Sequence, residues 1–147
     1  MKILVGMSGG VDSSVSAALL REKGYDVTGV TLDLLELDST EMVSDAKNVA
    51  AKLNIPHFVL DLKKEFSSKV QDYFADTYLN GCTPNPCAVC NKYIKFGAML
   101  DYALSNGYTH VATGHYVKIL NTGNEWKIKR NNSHKDQSYF LYRLNQH

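Results

Sequence analysis

The chain has 147 residues, 44% of them hydrophobic, which suits one globular domain with a real core and excludes a disordered chain. No run approaches the roughly 20 apolar residues of a membrane span, and Met1-Lys2 leads straight into an apolar segment with no secretory leader, so the cytoplasm is the expected location. A net charge of +1 argues against a broad nucleic-acid-binding surface, and three cysteines suit catalytic or metal chemistry better than a disulfide framework.

Lys2–Gly6 reads as a first strand and 11–23 as a first helix, with Val15, Ala18 and Leu19 on one face and Gly24 as its stop. Between them lies Ser8-Gly9-Gly10-Val11-Asp12-Ser13-Ser14. A strand that runs through a Gly/Ser turn into a helix is a phosphate-binding device. The helix N-terminus offers unpaired N–H groups and a partial positive charge. Gly9 and Gly10 let the backbone approach an anion, and Ser8, Ser13 and Ser14 supply hydroxyls. The Lys of the GxxxxGK[ST] loop is missing, as is the GxGxxG spacing of dinucleotide folds. The arrangement is similar to the SGGxDS pyrophosphate loop of ATP pyrophosphatases, which cleave ATP between its α- and β-phosphates. A turn that only caps a helix is the plainer alternative.

Residues 26–34 form a second apolar, β-branched strand. Asp33, Glu36 and Asp38 then read as a solvated acidic loop. Ser39 or Thr40 caps a second helix with Val43, Ala46, Ala50 and Leu53 at helical spacing. Pro56 ends that region and His57–Asp61 is a third strand, with His57 structural. Residues 65–80 form a third helix expected to bury Phe66, Val70, Phe74 and Tyr78; Tyr73, Phe74 and Tyr78 read as core rather than base-stacking residues.

Residues 81–91 read as irregular, stiffened by Pro84 and Pro86, with a fourth helix over 91–105. Cys87 and Cys90 lie in this loop, and Cys90 is placed beside the helix start. A helix N-terminus, with Lys92 and Lys95 nearby, favours thiolate over thiol and makes Cys90 a nucleophile or sulfur carrier. The CxxC spacing also admits a metal, a disulfide switch, or an iron–sulfur cluster held by Cys87, Cys90 and a third ligand that is either Cys82 or a residue outside this chain. Residues 110–113 form a fourth strand; His115 after it is a hydrogen-bonded structural His or a phosphate neighbour. Residues 117–120 and 126–130 pair as a hairpin across Asn121-Thr122-Gly123-Asn124, with the role of Trp126 open. From Lys118 onward there are 6 Lys/Arg (Lys118, Lys127, Lys129, Arg130, Lys135, Arg143) against 2 Asp/Glu, a basic end suited to phosphates or to a plain solvated hairpin. Strands alternating with helices imply an α/β fold with a doubly wound parallel sheet and a C-terminal β-hairpin.

Five ordered segments then carry a resemblance. Gly6-Met7-Ser8-Gly9-Gly10-Val11-Asp12-Ser13-Ser14, Thr83-Pro84-Asn85-Pro86 with Cys90-Asn91-Lys92, Ile94-Lys95-Phe96-Gly97, Ala112-Thr113-Gly114-His115-Tyr116 and Lys135-Asp136-Gln137-Ser138-Tyr139-Phe140-Leu141 resemble the tRNA-specific 2-thiouridylases of the MnmA type. The resemblance implies the adenine nucleotide α-hydrolase fold and adenylation of O2 of the wobble uridine by ATP with Mg²⁺. Sulfur from a persulfide or sulfide donor then displaces AMP, with tRNA as partner and neither DNA nor a membrane involved. It assigns ATP phosphates to Gly6, Met7, Ser8, Gly9, Gly10, Val11, Asp12 and Ser13, the adenine region to Leu32, and completion of the ATP site to Gly114. Asp12 is a candidate indirect metal partner. Asn85, Pro86 and Cys87 are assigned to the target base, Cys90 to the first catalytic cysteine, and Lys135, Asp136 and Gln137 to tRNA.

Two features depart from the pattern. Cys87 stands where many members have Asp, which suits the branch with an iron–sulfur cluster and leaves the sulfur route open. The family is more than twice this length, so residues 1–147 are expected to be its adenylation domain without the central tRNA-binding domain, the β-barrel and the second catalytic cysteine. The rival readings are another ATP pyrophosphatase of the synthetase type and a non-catalytic CxxC metal- or nucleotide-binding module.

Overall fold

The computed structural model describes residues 1–35 and 40–146. Four parallel strands form its sheet in the order β3-β2-β1-β4, with β1 at Lys2–Gly6, β2 at Asp26–Asp33, β3 at His57–Asp61 and β4 at His110–Ala112. Parallel strands need crossovers, and helices supply them: α1 (Val11–Glu22) joins β1 to β2, and α2 (Thr40–Lys52) joins β2 to β3. A long helical passage then returns the chain to the other side of β1, which is the α/β doubly wound arrangement expected from the alternation of elements. Ser39, Glu36 and Asp38 lie outside the described residues.

β1 is buried on both faces, so its alternate side chains feed two cores. Ile3 and Val5 pack with Met7, Val27, Ala17 of α1 and Ala46 and Ala50 of α2. Leu4 packs on the opposite side with Val30, Met99 and Ala103. The α2 stripe is the expected one. The α1 stripe is not: Ser13 and Ala17 are buried, whereas Val15 and Leu19 are about half exposed. Small residues on the inner face let α1 lie close to the sheet, while Val15 and Leu19 turn outward and Leu20 packs at the edge of the core.

The return passage starts with α3 (Lys63–Phe66), widens into a π turn at Ser67–Gln71 and continues as α4 (Asp72–Leu79). Its inner side carries Phe66, Val70 and Tyr73, packed with Leu62, Val89 and Ile94. Phe74 and Tyr78 are exposed, contrary to the expected burial, and meet each other edge to face at 5.0 Å. They occupy the adjacent helical stripe, which no described element covers.

The expected irregular loop is shorter than 81–91. Helix α5 begins at Pro86 (Pro86–Cys90), passes into a π segment at Asn91–Ala98 and ends as α6 (Met99–Ser105). The cause is local: Asn85 Oδ1 accepts from the Ala88 N–H at 3.1 Å, and Pro86 stands in the first turn, where its missing N–H costs no bond. Beyond β4, β5 (Lys118–Asn121) and β6 (Trp126–Lys129) form the expected antiparallel hairpin, separate from the main sheet. Every residue of both strands is exposed, Trp126 included, and Gln146 exchanges two hydrogen bonds with the Trp126 backbone. A 3-10 turn at Ser138–Leu141 packs back on α5. No helix among the described residues is long and apolar enough to cross a membrane.

Candidate active site

The strand order reverses between β1 and β4, and the ends of these two strands open onto a cleft of about 620 Å³. Gly6, Met7 and Ser8 enter it from the end of β1. Leu32 and Asp33 enter from β2, and Thr113, Gly114 and His115 follow β4. Asp12 and Ser13 supply the first turn of α1. Two distant segments complete the wall: Lys95 from the π segment and Gln137 from the chain beyond the hairpin.

Two of the glycines serve close backbone packing. Gly9 has φ +77°, and a Cβ there would sit 2.7 Å from Asp45 Cβ on α2. It makes the turn and lets α2 close on the loop. Gly114 faces the backbone at the start of α1, where a Cβ would sit 2.7 Å from the Ser13 N. Gly114 thus lets the end of β4 touch the helix N-terminus. Gly9, Gly10 and Val11 do not line the cleft.

The hydroxyls of the loop are largely engaged in shaping it. Ser13 Oγ donates to the Gly10 carbonyl at 3.1 Å and accepts from the Ser8 N–H at 3.3 Å. Ser14 Oγ also donates to Gly10 O, at 2.8 Å. Gly10 holds the N-cap position without a side-chain cap, so Asp12 is not the capping group. Instead, Asp12 Oδ1 accepts from the Tyr116 hydroxyl at 2.7 Å.

Asp33 is not a solvated loop residue. It ends β2, pairs with Lys63 and lines the cleft. His57 is structural as expected. The Thr31 hydroxyl donates to Met7 O at 2.9 Å, so it accepts from His57 Nε2–H, also at 2.9 Å. Burial, with help from Lys47, holds the His57 pKa below its usual value. His115 Nδ1 meets Thr113 Oγ1 at 2.7 Å. Burial, and secondarily the Lys95 charge, pushes its pKa down to about 4, so it is neutral at pH 7.

The cysteines correct a second expectation. Cys87 is at the helix start and exposed, whereas Cys90 sits a turn further in and is half-buried. Burial raises the Cys90 thiol pKa; Lys95 opposes this and Cys87 adds to it. The thiolate is therefore not favoured in the way a helix-start position implied. Lys92 is turned over the Tyr93 ring instead. All three cysteines are free thiols. Among the described residues no three Cys, His, Asp or Glu side chains come together as a metal site, so Cys82 does not complete a cluster with Cys87 and Cys90.

The segment assigned to tRNA folds onto the cleft rather than away from it. Gln137 N–H donates to Tyr116 O at 2.8 Å, and Gln137 Oε1 accepts from the Tyr116 N–H at 3.0 Å. Lys135 lies over the Tyr116 ring. Asp136 accepts from the Asn131 N–H and the Ser138 N–H and hydroxyl, which hold its carboxyl below the usual range, and so it shapes the turn. Asn85, Pro86, Cys87 and Cys90 do not line the cleft; they lie on the helix that also carries Lys95. Asn91 joins the two regions, its Nδ2 donating to Phe140 O at 3.1 Å. Sequence reasoning missed Tyr116 and Asn91 as site-shaping residues and read Lys95 only as a neighbour of the thiol, although all three lie inside the quoted segments.

The family model for the tRNA methyl transferase HUP domain matches residues 1–147. The chain belongs to this family. Two curated relatives of this HUP domain are tRNA-specific 2-thiouridylases MnmA. The Treponema denticola protein is 50% identical over 157 aligned positions, covering 99% of this chain and 43% of that protein. The Clostridium kluyveri protein is 47% identical, covering 99% of this chain and 44% of that protein. The HUP domain therefore spans less than half the length of the curated relatives it matches. Among solved structures, a predicted subunit of tRNA methyltransferase from Methanocaldococcus jannaschii superposes with a TM-score of 0.55 at 24% identity, over 78% of this chain and 52% of that one, a likeness of fold.

Proposed function

We propose that residues 1–147 form the adenylation domain of a tRNA-uridine 2-sulfurtransferase, which binds ATP in the β1–β4 cleft and activates the base there. The observation that carries this reading is convergence: one cleft is walled by the N-terminus of α1, by Lys95 from the cysteine helix and by Gln137 from the segment assigned to tRNA. Relatives more than twice as long, named as tRNA 2-thiouridylases, support the same reading.

The chemistry follows from what the cleft offers. Uridine O2 is a poor leaving group until it is bonded to phosphorus. Attack of O2 on the α-phosphate forms the O–P bond and breaks the bond to the β-phosphate, which releases pyrophosphate. The α1 N-terminus and the Ser8 and Ser13 loop, together with Gly6 and Met7, lie where negative charge develops on the departing pyrophosphate. Leu32 borders the adenine region and Gly114 holds the far wall against α1. Mg²⁺ bound with ATP would neutralise phosphate charge. Asp12 lines the cleft beside the Ser8–Ser13 turn and is the carboxylate there that would face it, since Asp33, also in the lining, is paired with Lys63. From sulfide, sulfur bonds to C2 and the C2–O bond breaks to release AMP; from a persulfide, the outer sulfur bonds to C2 as AMP leaves, and the Cys90 thiolate then attacks the inner sulfur, breaking the S–S bond and ending in a disulfide with the donor. Cys90 serves that sulfur delivery, and Asn85, Pro86 and Cys87 lie at the target base. Lys135, Asp136 and Gln137 orient tRNA. The cytoplasm is the compartment that holds these partners. Among the described residues no third Cys, His, Asp or Glu stands beside Cys87 and Cys90, so a cluster there would need its further ligand from outside residues 1–147.

Calorimetric titration of the chain with ATP and Mg²⁺ tests the site, with micromolar binding expected. Pyrophosphate release measured with and without tRNA tests the substrate. Release that tRNA stimulates supports a tRNA uridine as the acceptor; release driven only by a small acid or amine points to a synthetase; no ATP binding ends the reading.

A further inference from the structure

Among the described residues, Lys95 is the one Lys or Arg that lines the cleft. His115 shares the wall but is neutral at pH 7. Lys95 also belongs to the helical run that carries Cys90, five residues later. In a regular α-helix five residues turn through about 140° beyond a full circle, which places the two on different faces. The run is not regular here. Asn91–Ala98 is a π segment, in which residue i+5 bonds back to residue i and stands near it. The wider turns bring Lys95 back toward Cys90 and leave its side chain at the cleft. Its charge bears on two groups at once, the Cys90 thiol and the His115 ring. A π segment at this position has a use: it gives one cation access to both the nucleotide wall and the thiol.

We propose that Lys95 serves both halves of the reaction, its ammonium contacting the α-phosphate oxygens during adenylation and then stabilising negative charge on the Cys90 sulfur during sulfur delivery. The proposal rests on reading the cleft as the ATP site. Lys95 forms no covalent bond and gives up no proton; it acts as a fixed charge. In the first half, charge on the α-phosphate oxygens must be met as O2 bonds to phosphorus and pyrophosphate leaves. In the second, a half-buried thiol must ionise against its own desolvation, and a cation is what offsets that cost.

The test uses the full chain and the variants Lys95→Met, Lys95→Arg and Lys95→Gln, each checked for wild-type circular dichroism. Three readings are taken: ATP affinity by calorimetry, the pH profile of Cys90 alkylation by iodoacetamide followed peptide by peptide, and the His115 ring titration by NMR. Lys95→Met is expected to weaken ATP binding about tenfold, which is about 1.4 kcal/mol. It should also move the Cys90 alkylation midpoint up by about half a pH unit or more, and His115 upward, because a positive charge has gone. Lys95→Arg should restore most of each effect, and Lys95→Gln should behave as Lys95→Met. Weakened ATP binding with an unmoved Cys90 profile, or the reverse, overturns the shared role. Wild-type protein that fails to bind ATP overturns the ATP-site reading and the proposal with it. Wild-type binding with an unchanged Lys95→Met variant overturns the proposal alone.

Discussion

The Tyr116 hydroxyl donates to Asp12 Oδ1 at 2.7 Å across a gap of 104 residues. This bond ties the chain after β4 to the first turn of α1. Because Tyr116 also exchanges two hydrogen bonds with Gln137, one tyrosine links the phosphate-loop helix to the segment assigned to tRNA. The phenol pKa is raised by that hydrogen bond and by the Asp12 charge, so the donor stays protonated at neutral pH.

Tyr116→Phe removes the hydroxyl alone. Tyr116 is exposed, so the melting temperature should change by no more than about 2 °C. ATP affinity should fall by about three- to tenfold, since the Asp12 carboxylate loses the contact that orients it. Calorimetry paired with thermal denaturation separates the two effects. A large loss of melting temperature with unchanged affinity would assign Tyr116 to stability instead.

Gly114→Ala should be more damaging than its size suggests. The added Cβ meets backbone atoms, Ser13 N at 2.7 Å and Asp12 C at 2.8 Å, which cannot rotate away. The end of β4 must separate from α1, at a cost of about 1–3 kcal/mol. Gly9→Ala meets Asp45 Cβ and also carries the strain of φ +77°. Urea denaturation should show both losses. For Gly114→Ala the ATP affinity should fall as well, because the separated surfaces are the cleft wall.

His115 sets a pH dependence whose sign is fixed by its lowered pKa. Between its ordinary value near 6.5 and about 4, the unfolded chain binds the proton and the folded chain does not. Stability therefore rises with pH through that window and is lost as pH falls from 6.5 toward 4. His115→Gln should flatten this part of the stability profile. Two-dimensional NMR should give a His115 midpoint near 4, and a midpoint near 6.5 would refute the burial.

Much of this arrangement was legible in the sequence where periodicity and turn chemistry agree. The β1–loop–α1 unit, β3 at His57–Asp61 and the hairpin follow from apolar runs bounded by Gly, Pro and Asn. The burial face of α1 was not legible, because Ser13 and Ala17 face the sheet for their small size while Val15 and Leu19 turn out. A hydrophobic stripe marks an apolar face and says nothing of how closely the helix must approach. The start of α5 is written in the sequence, since Asn85 followed by Pro86 is a cap signal, but Pro84 beside it gives the same stretch the composition of a loop. The placement of Gln137 in the cleft was not legible at all, since it depends on how the chain beyond the hairpin folds back.

Cys87 and Cys90 should differ in reactivity in the order opposite to their expected roles. Cys87 is exposed at the helix start, while burial raises the Cys90 pKa. At pH 7.5, iodoacetamide should label Cys87 several-fold faster than Cys90, and the gap should narrow as pH rises and Cys90 ionises. Peptide mass spectrometry of timed samples reads both sites in one experiment. Faster labelling of Cys90 would mean that the Lys95 charge outweighs desolvation.

Asn91 offers the sharpest test of whether the cysteine helix and the segment beyond the hairpin act as one body. Its side chain is 2% exposed and its Nδ2 donates to Phe140 O at 3.1 Å, while Oδ1 is buried without a protein partner. Asn91→Ala leaves the Phe140 carbonyl unmet, at a cost of about 1–2 kcal/mol. Asn91→Asp should cost more, because a carboxylate cannot donate to that carbonyl and buries a charge. Hydrogen exchange should then show faster opening of residues 137–141 in both variants, with the β1–β2 core unchanged. Protection lost evenly over the whole chain would mean that Asn91 supports global packing and that the two segments are not specifically coupled through it.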